Sequence, residues 1–175
     1  GSNVALQVGD AVDVSATVAE NFGLTQLTSP SVTINSQGNA LPASEVLSTS
    51  AVSDEQWEGV LVQTSGVVES DALGNNEWSV NDASGAVLLD DAGFNAIAAG
   101  LTTVGASVQV SGSVDYSFSE FKIQPRDVND VLLYGCTSDA ADNYDAAASV
   151  DDGSCEFSGT SCTLFVSEIA EGSSN

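Results

Sequence analysis

The chain has 175 residues and a mass of 17.7 kDa, the size of one domain or one domain with small appendages. Lys and Arg total 2 against 25 Asp and Glu, His is absent, and the formal net charge is -23. That balance argues against nucleic acid or an anionic membrane surface as partners, since both need clustered Lys and Arg, and it excludes His-based acid–base catalysis and imidazole-bound zinc.

Hydrophobic residues are 42% of the chain and charged residues 15%, so there is material for a core, and the surface must come from Ser, Thr, Asn, Gly and Asp. Abundant Val and Thr favour strands. A Lys-poor acidic surface suits saline surroundings, where self-repulsion is screened: a marine or saline extracellular setting fits, with an acidic cytosolic halophile protein as the duller alternative. The longest apolar stretch, Ala96 to Val110, is broken by Gly100 and Gly105, so no membrane insertion is expected. The chain reads as a segment of something longer.

Short alternating runs follow one another. Ala11 to Val18 places Val12, Val14 and Val18 on one face. Next come 60–62, 66–69, Glu77 to Asp82, Ala86 to Asp91, Ser107 to Ser111 and Glu120 to Gln124, parted by turn residues at 71–76 and 82–85. Gly93 to Leu101 is a candidate short helix, and Ser53 to Gln56 could start another. The expected fold is mostly β: an OB-fold-like five-stranded barrel with one short helix, an extra N-terminal β-hairpin and a disulfide-stapled acidic loop.

An internal repeat stands out. Residues 8–22, VGDAVDVSATVAENF, and residues 104–118, VGASVQVSGSVDYSF, match at Val8, Gly9, Val12, Val14, Ser15, Val18 and Phe22, at an offset of 96. Leu27 falls opposite Ile123. Strands precede the second copy and none precedes the first. The expected division is therefore 1–40, the closing hairpin of a preceding OB-like unit; 41–134, a complete OB-like domain; 135–157, a disulfide-closed acidic repeat; and 158–175, a linker and an orphan strand.

The run from "WEGVLVQTSGVVES" through "NEWSVNDASGAVLLDD" to "YSFSEFKIQPRDVNDV" resembles the OB-fold modules of secreted bacterial nucleases, which join such modules to lamin-tail and catalytic domains. "VGDAVDVSATVAENFGLTQL" looks like the end of a preceding module. Gly135 to Cys155, "GCTSDAADNYDAAASVDDGSC", closely resembles the acidic repeats of secreted and surface proteins, departing at Asp142, where many copies carry a third Cys. "LFVSEIAEGSSN" looks like the first strand of a lamin-tail domain. The family's catalytic domain has no counterpart here, so no enzymatic activity is expected. Its modules imply a nuclease accessory role.

The acidic segment is the best site candidate. Asp139, Asp142, Asn143, Asp145, Asp151 and Asp152 lie within fourteen residues. Crowded hard oxygen ligands suit Ca²⁺ in a structural role, although no EF-hand spacing is present and a solvated acidic loop is the simpler alternative. Asp145, Asp151 and Asp152 are the first choices. Asp82, Asp90 and Asp91 form a weaker cluster and read better as turn formers, as do Asp127 and Asp130. Stacking candidates for a single strand are Trp78, Tyr116, Phe118 and Phe121 with Lys122 and Arg126. Trp57, Trp78, Phe118 and Phe121 read more simply as core or sheet-face residues.

Cys136 and Cys155 bracket a segment too polar to hold itself, so a disulfide between them is expected, which implies an extracellular compartment. Cys162 is left over, as a free thiol or paired outside this chain. The expected function is a non-catalytic secreted structural or assembly unit, a filament or surface protein. Its expected partners are copies of itself or neighbouring domains of the same protein, met by β-strand addition. The alternative is an accessory module of an extracellular nuclease.

Overall fold

The computed structural model describes residues 5–158. Ten strands run in chain order: β1 Ala11–Asn21, β2 Leu24–Ser36, β3 Glu45–Val46, β4 Leu61–Ser70, β5 Trp78–Asn81, β6 Ala86–Leu89, β7 Ser107–Ser117, β8 Glu120–Gln124, β9 Val131–Gly135 and β10 Val150–Asp151.

Strands β4, β5, β6, β8 and β7 pair in that order, and β7 returns to β4 to close a barrel. Within it only β6 and β8 run parallel, with Leu88 opposite Lys122 and Leu89 opposite Ile123. A three-stranded meander plus a hairpin closed in this order is the OB-type barrel. β9 adds to β7 beside β8, β10 adds to β9, and β3 adds to β4.

Alternation builds the core. Val62 and Val68 of β4, Trp78 and Val80 of β5, Val87 and Leu89 of β6, and Val108, Val110 and Val114 of β7 point inward with Ile123, Val131 and Leu133. Val52 and Ala96, outside the strands, belong to the same core. Two glycines let strands cross closely. At Gly66 a Cβ would stand 2.7 Å from the Asn81 carbonyl, and at Gly112 it would run into Gln124. Both sit where a barrel strand changes partner, a common place for glycine in sheets.

Among the described residues the helical content is three 3-10 turns, Ala51–Ser53, Glu55–Trp57 and Val128–Asp130. The segment 93–101, read from sequence as a short helix, is instead a run of turns. Its backbone bonds are Ala99 N–H to Asn95, Gly100 to Ile97 and Leu101 to Ala96, a mixture of spacings that builds no regular helix. Asn95 Oδ1 accepts from Ala98 N–H at 2.8 Å, and Gly100 at φ +74° ends the run. Asn and Gly both favour turns over helix interiors.

β1 and β2 form a separate two-stranded antiparallel sheet. Its tip rests on the barrel. Gly23 packs on the Tyr116 ring so closely that a Cβ would come within 2.5 Å of Cε1. Glu58 Oε1 accepts from Thr25 N–H at 2.8 Å.

Candidate functional site

The acidic segment is docked on the sheet edge. Cys136 and Cys155 are bonded, with Cα atoms 4.7 Å apart. β10 lies parallel to β9, with Val150 opposite Tyr134 and Asp151 opposite Gly135. Ser149 N–H donates to Leu133 O and Asp152 N–H to Gly135 O, while Asp145 N–H donates to Cys136 O at 2.9 Å. The staple thus holds a polar loop along the edge of β9, the strand that carries the buried Val131 and Leu133.

Within the loop the polar side chains serve its own backbone. Asn143 clamps the two ends, its Nδ2 donating to Ser154 O and its Oδ1 accepting from Glu156 N–H, both at 2.7 Å. Asp145 Oδ1 accepts from Ala147 N–H, Asp151 Oδ1 from Gly153 N–H and Asp152 Oδ1 from Ser154 N–H, each at 2.9 Å. Asp142 accepts from Ser158 N–H. Hydrogen bonding by the Ser158 side chain and then its N–H holds the Asp142 carboxyl below the usual carboxylate range, and the Ser154 side chain and then its N–H do the same for Asp152. Asp139 is exposed on the turn that follows Cys136. So Asp145, Asp151 and Asp152 each bond the backbone N–H two residues on, Asp142 reaches across to Ser158, and among the described residues no three acidic, Cys or His side chains converge as a metal-binding group.

The disulfide closes a ring of sequence separation 19, for which loop entropy predicts about 3 kcal/mol. Changing both Cys136 and Cys155 to Ser should release the loop and leave the barrel. Hydrogen exchange at the Ser149 and Asp152 amides should accelerate strongly, while the tryptophan-detected unfolding midpoint stays put. A midpoint that drops in step with those amides would show the loop to be integral to the barrel.

Both cations of the chain are occupied. Lys122, 1% exposed, carries Nζ to the Glu77 carboxylate, with Asp90 Oδ2 at 3.8 Å. The Phe118 ring centroid lies 5.3 Å from the same Nζ. Arg126 is bidentate to Asp130, Nε to Oδ2 at 2.7 Å and NH2 to Oδ1 at 2.8 Å. Of the stacking candidates, Trp78 is buried in the core and Phe121 packs against it, with Tyr116 at 4.7 Å from Phe121 between ring centroids. Trp57 also packs against the core. Phe118 differs. It is 92% exposed at a hairpin tip with φ +53°. Sequence reasoning missed the Lys122–Glu77–Asp90 triad; the one Lys in a chain of acids, inside the alternating strand Phe121-Lys122-Ile123, was the available signal.

Asp82, Asp90 and Asp91 do not gather. Asp82 Oδ1 accepts from Thr49 Oγ1 at 2.6 Å and from the Ser84 hydroxyl and N–H, tying the chain before Ala51 to the β5–β6 turn. Asp91 accepts from Asn76 at 2.6 Å and from Asn95, and Asp90 Oδ1 caps Ala92 N–H at 3.0 Å. Asp127 Oδ1 accepts from Asn129 N–H at 2.8 Å. Asp82, Asp90 and Asp127 are turn formers, whereas Asp91 holds the Asn76 and Asn95 side chains and Asp130, read from sequence as a turn former, is the ion-pair partner of Arg126. The Ser84 and Thr49 hydroxyls hold the Asp82 carboxyl far below the usual range. Burial pushes Asp130 up, but the Arg126 bonds outweigh it and the net shift is downward.

A carboxyl depressed in the folded state makes folding release protons, so its stabilisation is present above the unfolded value near 4 and disappears as pH falls below it. Acidification also relieves the repulsion of a -23 chain, which acts in the opposite sense. The difference between wild type and Asp82→Asn isolates the first effect. Wild type should melt higher than the variant at pH 7, and the gap should narrow steadily as pH falls below about 4. Melting curves that keep a constant gap down to pH 2 would contradict this assignment.

The fold thus defines an OB-type barrel carrying a stapled acidic loop and an additional hairpin. Comparison with known protein families, with curated proteins and with solved structures returned no match. Cys162 and the segment resembling a lamin-tail strand lie outside the described residues, whose described helices include none long and apolar enough to cross a membrane.

Proposed function

We propose that this chain is a non-catalytic extracellular β module that joins or assembles neighbouring units, with its acidic loop stabilised by Ca²⁺. One observation carries the reading. The hairpin β1–β2 presents a row of apolar side chains to solvent, Val14 at 46%, Val18 at 65% and Leu27 at 55% exposed. Apolar surface of that kind on a strand pair marks a contact surface. The disulfide supports an oxidising, extracellular setting. The calcium role rests on the density of carboxylates, which repel one another unless a cation or salt intervenes.

Size-exclusion chromatography with light scattering, in millimolar calcium and again in chelator, tests this. Self-association that depends on calcium is the expected result. A monomer indifferent to calcium contradicts both parts. The reading as an accessory module of a secreted nuclease is favoured by one point: the segment resembling those modules, 57–131, spans the strands that close the barrel. Joined to a catalytic domain, such a module would act as a spacer.

A further inference from the structure

The sequence repeat covers one strand and a turn, but the structural repeat is larger. β1 and β7 are both eleven residues long and correspond at the offset of 96 throughout. Their turns match: Phe22 and Gly23 have φ +55° and +91°, Phe118 and Ser119 +53° and +67°. The pairing that follows is the same residue for residue. Val18 faces Leu27 as Val114 faces Ile123, Ala19 faces Gln26 as Asp115 faces Lys122, and Glu20 faces Thr25 as Tyr116 faces Phe121.

The match continues past the irregularity in β2. Val14 faces Val32 and Val12 faces Ile34, as Val110 faces Val131 and Val108 faces Leu133. The second half of β2 therefore repeats β9, three residues having been added in the barrel across the turn at Val128–Asp130. From Val12 to Asn21 the hairpin copies the pairing of β7–β8–β9, departing only at Ala11, which faces Ser36 one position beyond the equivalent of Tyr134.

In the barrel copy Val108, Val110, Val114, Ile123, Val131 and Leu133 are all core residues. What covers them is the meander β4–β5–β6. It pairs along the outer edge of β7, antiparallel from Leu61–Ser113 to Val67–Ser107, and along β8, parallel through Leu88 and Leu89. In the hairpin the equivalent edges, Ala11 to Thr17 of β1 and Gln26 to Leu27 of β2, have no strand partner among the described residues.

We propose that the hairpin is the closing half of a second OB-type barrel, and that its occupant is a three-stranded β-meander joined on the N-terminal side of Val8 in the same polypeptide. Such a partner offers β1 an antiparallel strand, offers β2 a parallel one, and covers the six apolar positions with β-branched side chains. The N-terminal attachment follows from the turn before each copy. Gly9 at φ +93° and Gly105 at φ +89° are the same turn, and Gly105 is the point where the chain leaving the meander bonds to Val68 before entering β7. The proposal rests on the assembly reading above, yet the two separate in experiment. A completed second barrel in a monomeric chain keeps this one and removes self-association.

The test grafts the meander this chain already owns. Residues 41–103 are inserted directly before Val8 in the full chain, the register the repeat defines. Amides of β1 and of Gln26–Leu27 should slow in hydrogen exchange by on the order of a hundredfold or more relative to the parent, and Val14→Asp with Val18→Asp should abolish that gain. A graft whose original barrel is protected while β1 exchanges as in the parent overturns the proposal. So does protection of β1 in the parent that grows with protein concentration, which makes a second copy the occupant. If the grafted chain does not fold, the reciprocal exchange decides: residues 11–36 replace 107–135. A folded barrel with Trp78 buried supports the assignment, and an unfolded chain overturns it.

Discussion

Trp78→Ala should lower stability by about 3–5 kcal/mol, the range for deleting a large aromatic from a packed core. Trp78 is 1% exposed and opens β5, where its backbone faces Leu89 of β6. It is the largest fully buried side chain of the barrel, and the surrounding residues are mostly Val, which are too short and too stiff at χ1 to collapse into the space. With a urea slope of about 2 kcal/mol per molar, the midpoint should move by about 2 M. A shift below about 0.5 M would mean that the meander is not tied to the core as described.

Lys122→Ala should cost about 3–5 kcal/mol, the penalty for removing one member of a buried ion pair. Lys122 lies on β8 between two inward residues, Phe121 and Ile123, so its own side chain faces away from the core, where Glu77, Asp90 and the Phe118 ring cover it. Deleting the ammonium leaves two carboxylates facing each other in a chain already at -23. Lys122→Met combined with Glu77→Gln keeps the volume and removes most of the charge conflict, so it should recover most of the loss. Chemical denaturation of the three proteins checks both statements. A double variant no better than Lys122→Ala would mean that the ammonium acts through something other than these carboxylates.

Much of the barrel could be read directly. Period-two alternation places Val108, Val110 and Val114 on one face, and the same rule brings Trp78 and Val80 inward. The Cys136–Cys155 bond followed from a loop too polar to fold alone. β9 and the second half of β2 were harder to see. Val131 to Gly135 and Ser31 to Ser36 are recognisable as strands only when β7 and β1 lie beside them, because their identity comes from non-local hydrogen bonds. For the same reason the repeat looked like fifteen residues in sequence. Side chains on β2 and β9 diverge, with Thr33 opposite Asp13 where Leu132 stands opposite Gln109, and only the register preserves the relation.

The acidic loop divides in the same way. Its composition established many carboxylates close in sequence. Asp145, Asp151 and Asp152 each took the backbone N–H two residues on, since an Asp side chain reaches its own turn before a distant partner, whereas Asp142 bonds Ser158 across the loop. The pairing of Lys122 with Glu77 and Asp90 could not be read either, because those residues meet only once the barrel closes.

The class of the fold, the charge, the staple and the existence of a duplicated strand were legible in the residues, since these depend on composition and on local period. The tertiary structure alone decided register, the occupancy of each cation, and which apolar rows are covered. A row such as Val12, Val14 and Val18 reads the same as Val108, Val110 and Val114. What separates a core from a contact surface is whether another sheet lies across it, and that is a property of packing rather than of the strand.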